Sequence, residues 1–189
     1  VVTITTTAFV VLLHIYTLAP LCTGGLAYNA HHHTVICRRG TRQRQQPQQP
    51  SCPARRRVWW SSANTAVTGA RGWATQAVGQ GQANTTAILA VFGSDTAFNN
   101  AAKYAADLAS GVPVGCVTSK DDWFLGSLGE MMLMYTNLRQ AGVGGFSAVY
   151  YWSSSEDDDA SAFAQRFDDG VQDNRSKGTT YYVRPVRVF

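Results

Sequence analysis

Residues 38–57 read RRGTRQRQQPQQPSCPARRR, with almost no apolar side chain among them. Such a run of Arg, Gln and Pro cannot supply a core, so whatever packs must lie to either side of it. Arg38, Arg39, Arg42, Arg44, Arg55, Arg56 and Arg57 cluster here, and no acidic residue precedes Asp95. Residues 1–57 carry a formal +7, whereas residues 58–189, with nine basic and twelve acidic side chains, carry −3. The net charge of +4 therefore describes a basic arm joined to a mildly acidic domain. A nucleic-acid partner is the sharper reading of that arm. Without interleaved aromatics or a recognition fold, a solvated linker is favoured.

Residues 1–21 hold no acidic or basic side chain apart from His14. They could cross a bilayer, serve as the apolar region of a signal peptide, or form a strand, since Val, Ile and Thr dominate. A strand over residues 1–17 would suit self-assembly on a neighbour's sheet edge. His31, His32 and His33 are adjacent, and adjacent side chains on a strand diverge, so a solvated turn is favoured over a metal site. The four cysteines, Cys22, Cys37, Cys52 and Cys116, form no CxxC pair. A zinc finger is disfavoured; a disulfide such as Cys37–Cys52 stays open.

From Val58 the texture becomes that of short elements and turns. Asn84 is placed to cap a helix over 85–92, with Gly93 as its stop. Asn99 or Asn100 starts a second helix over 101–109. Ser127-Leu128-Gly129-Glu130 is a capping box, opening a helix to about Gln140 with Leu128, Met131, Tyr135 and Leu138 on one stripe. Strands are predicted at Asp122-Trp123-Phe124-Leu125, over 148–152, over 161–167, and over 180–189. Pro185 argues for an edge position or a bulge. Polar loops are predicted over 153–159 and 168–178. The expected fold is α+β, with two helices and short antiparallel strands after an irregular amino-terminal arm, divided as 1–57 and 58–189. The expected core includes Trp123, Trp152, Tyr135, Phe167 and Val183.

Asp122-Trp123-Phe124-Leu125, the Ser127-capped helix, Gly145-Phe146, Tyr151-Trp152-Ser153-Ser154-Ser155-Glu156 and Tyr182-Val183-Arg184-Pro185-Val186-Arg187-Val188-Phe189 occur in that order. In this the chain resembles the domain at the end of collagen-like bacterial adhesins, which is related to the formylglycine-generating-enzyme type of C-type lectin fold. It is also similar to the variable proteins of diversity-generating retroelements in bacteria and phages. The likeness covers about residues 66–189, including 79–88, and is densest over 121–189. The family usually has Pro at the place of Gly126 and charged residues at those of Leu128 and Gly129. That departure implies a looser helix entrance, or one that engages a partner.

The resemblance implies that Phe163, Gln165, Phe167, Gly170 and Lys177 are scaffold. It assigns Ala164, Arg166, Asp168, Asp169, Gln172, Asp173, Asn174 and Arg175 to a varied ligand-binding face, with Asp157, Asp158 and Asp159 before them. Alternation along the strand agrees, setting Ala164 and Arg166 opposite Phe163, Gln165 and Phe167. Arg184 and Arg187 fall in the framework motif, which implies structural bonds.

These readings imply an extracellular, cell-surface or phage-borne module that binds a protein or carbohydrate ligand, not an enzyme. The alternative is a structural subunit of a surface assembly. No histidine follows His33, so no Ser/His or Cys/His constellation is expected after residue 57. Paired carboxylates stay conceivable if Asp157–Asp159 and Asp168–Asp169 face each other. The run from Glu156 to Asp159 suggests calcium, but a solvated acidic loop is favoured. The GQGQ stretch lacks the Gly-Lys-Ser/Thr of a phosphate loop, and no cofactor is expected.

Overall fold

The computed structural model describes residues 56–109 and 120–188, and the backbone of 26–29 and 34–37. Residues 1–21, the histidine run, Cys22, Cys52, Cys116 and the linker 38–55 lie outside the described residues.

The elements run β1 (Leu26–Asn29), β2 (Thr34–Cys37), β3 (Arg57–Val58), α1 (Gly81–Phe92), α2 (Ala101–Ala106), β4 (Trp123–Leu125), α3 (Leu128–Met134), β5 (Tyr150–Glu156), β6 (Ser161–Arg166), β7 (Gln172–Ser176), β8 (Tyr181–Tyr182) and β9 (Pro185–Val188). Among the described residues two sheets form, in the orders β2-β1-β9-β4 and β3-β8-β5-β6-β7. Most pairings are antiparallel; β1 on β9 and β5 on β8 are parallel. The α+β class holds; among the described residues α1, α2 and α3 stand at the three places where helix signals are read, although the expected outline counts two helices. Part of the expected arm is sheet, because β1 adds to β9 through Ala27 and Tyr28.

Ser127 accepts from the Glu130 amide, and the Glu130 carboxylate accepts from the Ser127 amide at 2.7 Å and the Gly79 amide at 3.0 Å. The capping box is thus complete. It also ties α3 to the turn before α1. The helix entrance is closed: Leu128 is buried, and a Cβ at Gly129 would stand 2.8 Å from the Gln76 carbonyl. Tyr135–Arg139 continues α3 as one π-helical turn. Asn100 caps α2 as expected, accepting from the Lys103 amide. Asn84 does not cap α1. It lies inside that helix, fully buried, donating from Nδ2 to the Thr75 carbonyl (2.7 Å) and Ser154 Oγ (3.2 Å).

β5 continues past Trp152 to Glu156, where a polar loop is expected from sequence. Ser153, Ser154 and Ser155 are buried, and partners from other segments satisfy them: Ser153 Oγ donates to the Phe163 carbonyl, Ser155 Oγ donates to the Thr75 carbonyl, and Ser154 Oγ accepts from Asn84 Nδ2. The predicted loop over 168–178 contains β7, which forms the edge of the five-stranded sheet. The predicted last strand is two strands, β8 and β9. Pro185 is not at an edge: β9 lies between β1 and β4. Pro185 is its first residue, and β1 pairs only with Arg187 and Val188, so no β1 bond needs the missing N–H.

Side chains from both faces of β5 are buried. Trp152 packs with Val58, Trp60, Ile88, Ala164 and Val183, and Tyr151 with Phe124, Met131, Phe146 and Phe167. Trp152, Phe167 and Val183 are core as expected, while Trp123 and Tyr135 are half-buried. The two terminal arginines make structural bonds. Arg184 donates to the Gly144 carbonyl and covers the Phe146 ring. Arg187 holds Asp122 in a bidentate pair at 2.8 and 2.9 Å, which ties the approach to β4 to β9.

Arg187 keeps the Asp122 carboxyl below the usual carboxylate range. A carboxyl depressed in the folded state contributes stability above its unfolded pKa, and that stability is lost as pH falls through the folded pKa. Burial pushes Glu130 up, so its contribution runs the other way and fades as pH rises. Glu130 is common to wild type and Asp122→Asn, so it cancels in their comparison. Asp122→Asn is therefore expected to lower stability at neutral pH and to lose this deficit below about pH 4. Urea melts of both proteins across the acid range check it; a deficit independent of pH would refute the assignment.

Candidate functional site

The hairpin of β6 and β7 carries most of the predicted ligand residues. Its register pairs Ala164 with Asp173, Ala162 with Arg175, Phe163 with Asn174 and Gln165 with Gln172. Directly opposed residues share a face, so β7 sorts its side chains into two sets.

Asp173 and Arg175 stand on the face that also bears Tyr150 and Arg166, which pair across β5 and β6. Arg166 Nε lies 2.8 Å from Asp169 Oδ1 and 2.9 Å from Asp168 Oδ1. The Arg166 guanidinium stands 5.7 Å from the Tyr150 ring centre, and that of Arg175 stands 4.6 Å from it. Arg175 donates to the Tyr150 hydroxyl at 2.5 Å and pairs with Asp173 at 2.7 Å. The result is one row: Asp168 and Asp169, Arg166, Tyr150, Arg175, Asp173. The two arginine side chains are 36 % and 35 % exposed, enough for a ligand to reach their charged ends.

Ala164 is a correction. It shares the parity of Arg166, as alternation requires, but it is fully buried beside Trp152. β6 is an interior strand, and both of its faces are covered at mid-length, so this side chain cannot meet a ligand. Gln165 is likewise fully buried and Phe163 half-buried.

Gln172, Asn174 and Asp157 belong to the opposite side. Gln172 Nε2 donates to the Leu128 carbonyl, and Asn174 Nδ2 to Asp157 Oδ2 at 2.6 Å. Asp158 and Asp159 occupy the β5–β6 turn, where Asp159 pairs with Arg71 at 2.9 Å. The amide of Ala160 holds the Asp158 carboxyl low. This turn and the turn with Asp168 and Asp169 cap opposite ends of β6, roughly 17 Å apart at strand rise. The predicted ligand-binding residues thus fall into two patches and do not share one face. The two acidic groups do not face each other, so they cannot act as a glycosidase-like carboxylate pair.

The residues that the resemblance implies are scaffold include a constrained turn glycine and a buried lysine. Gly170 has φ +84° and lies against the Tyr135 ring, so any side chain there would both strain the turn and collide. Lys177 is fully buried. Its Nζ donates to Glu156 Oε1 (2.5 Å), the Thr65 carbonyl (3.0 Å) and the Asp159 carbonyl (2.9 Å). Glu156, which the sequence presents as part of an exposed acidic run, is fully buried and also accepts the Val67 amide. Trp73 carries no sequence signal of exposure, yet 89 % of it is in solvent. It lies two residues from Arg71, on the side of the Asp159 turn.

Among the described residues no group of three or more His, Cys, Asp or Glu is placed to hold a metal, and no helix is long and apolar enough to cross a membrane. No family model, no curated protein and no solved structure matches the chain.

Proposed function

We propose that residues 58–189 form a C-type-lectin-like ligand-display module, a binding protein and not an enzyme, which acts at a cell or phage surface on a protein or carbohydrate ligand. The observation that carries this reading is the row Asp168/Asp169, Arg166, Tyr150, Arg175, Asp173. It is half-exposed, mixed in charge and continuous, and the Tyr150 ring at its centre packs on Tyr181, which in turn packs on fully buried Trp152. Side chains already held by ion pairs and by an aromatic face lose little freedom on binding, which lowers the ordering cost of recognition. The order of motifs that resembles the adhesin and retroelement-variable families supports the same use of this face.

The arrangement favours a ligand with both donors and acceptors, and its charges tune encounter rate more than affinity. The double variant Arg166→Ala/Asp168→Ala is expected to lose binding on an array of cell-surface proteins and glycans. Its stability should stay within about 0.5 kcal/mol of wild type, as is usual for exposed substitutions. Retained binding by a folded double variant would remove this face from the function.

A further inference from the structure

At the other end of the hairpin, where the chain crosses from β7 to β8, a cleft of about 200 Å³ opens between Trp59, Ser61, Ser62, Asn99 and Gly178. We infer that this cleft binds one neutral sugar ring of a glycan, at a site separate from the Arg166 row.

Its walls are held before any ligand arrives. The Trp60 amide donates to the Lys177 carbonyl, and the Ala101 amide to the Trp60 carbonyl, each at 3.2 Å. Asp95 Oδ2 accepts from the Ser62 amide at 3.2 Å and from Asn100 Nδ2 at 3.1 Å. Asn99 is fixed through Oδ1, which accepts from the Thr96 amide and hydroxyl. The segments on both sides are therefore cross-linked.

Asn99 Nδ2, the Ser62 hydroxyl and the Trp59 indole N–H make no hydrogen bond among the described residues. Trp59 is 43 % exposed, so part of its ring is open at the cleft. An aromatic face beside unspent neutral donors matches a pyranose ring, which presents C–H groups on one side and hydroxyl oxygens around its edge. No lining side chain is charged, so a neutral ring is favoured over an acidic one. An aliphatic protein side chain fits less well, because it would cover these polar groups without bonding them.

Gly178 provides a clean test. A Cβ there would meet only Ser176 Oγ, at 3.7 Å, and the backbone is not in the left-handed region, so the site accepts a first side-chain carbon and Gly178→Val adds apolar bulk at the cleft wall. Methyl glycosides of glucose, galactose, mannose and N-acetylglucosamine would be titrated against the whole chain by ligand-observed NMR. At least one is expected to bind with a Kd of about 1 mM, the range of a single small contact site. Gly178→Val should weaken it at least about tenfold with the melting temperature kept, and Trp59→Ala should do the same. Trp73→Ala and Arg166→Ala/Asp168→Ala should leave it unchanged, so this site and the Arg166 row stand or fall separately. The inference is overturned if no glycoside binds or if binding survives both cleft variants. Should Gly178→Val not fold, Trp59→Ala decides the same question.

Discussion

Lys177→Met is expected to destabilise the protein by about 3–5 kcal/mol, because it leaves the Glu156 carboxylate buried without its cation. Both side chains have no exposure, so water cannot take over for either. The ammonium group holds three oxygens from two segments distant in sequence, at Thr65, Glu156 and Asp159, and stands 4.7 Å from the Trp60 ring centre. Glu156→Gln should cost a similar amount by stranding the lysine, although Gln can still accept the Val67 amide. The double variant Lys177→Met/Glu156→Gln should be more stable than the sum of the single losses predicts, since neither charge is left alone. Urea denaturation of the four proteins measures that coupling. Single variants within about 0.5 kcal/mol of wild type would show that the pair contributes nothing net.

This pair is half legible in the sequence, for a physical reason. The family likeness implies that Lys177 is scaffold. Composition does not set Glu156 apart: it closes the Tyr151–Glu156 stretch of the family likeness, but it stands at the head of three aspartates and shares their composition, not their burial. Its partner lies 21 residues on and is brought close only by the β5–β6–β7 meander. The serines of β5 mislead for a related reason. Polar side chains signal loops, yet hydroxyls can be buried cheaply when a carbonyl or amide stands within reach. Asn84 likewise suggests a cap from its neighbours alone, whereas long-range contacts with Thr75 and Ser154 place it inside α1.

Signals closed within a few residues are the legible ones. The Ser127–Glu130 capping box, the Asn100 cap and the alternation along β6 each depend on near neighbours only. Alternation gives the right parity for Ala164 and Arg166 but the wrong exposure for Ala164. Parity is a property of one strand, whereas cover depends on what the rest of the chain lays over it. The same limit explains why β7 reads as a loop: an edge strand of Gln, Asp, Asn, Arg and Ser has no apolar periodicity to detect.

Trp152→Ala is expected to cost about 3–5 kcal/mol, the range for deleting a large buried aromatic. The ring is fully buried, its centre is 4.8 Å from that of Tyr181, and its Nε1 donates to the Val58 carbonyl at 3.0 Å. Deletion therefore opens a cavity under the sheet and also removes the bond that ties β3 to β5. Trp152→Phe separates the two losses: it keeps most of the apolar volume but gives up the N–H, and should cost clearly less than Trp152→Ala. Ala164 is directly opposite Trp152 in the β5–β6 ladder, and its small side chain leaves room for the indole. Ala164→Leu should then destabilise wild type by about 1–3 kcal/mol through overpacking. In a Trp152→Ala background the same change should cost less, or recover part of the loss by filling the vacated space. Chemical denaturation of the single and double variants decides it. If Ala164→Leu costs as much in both backgrounds, the two side chains do not share that space, and the burial of Ala164 has another cause.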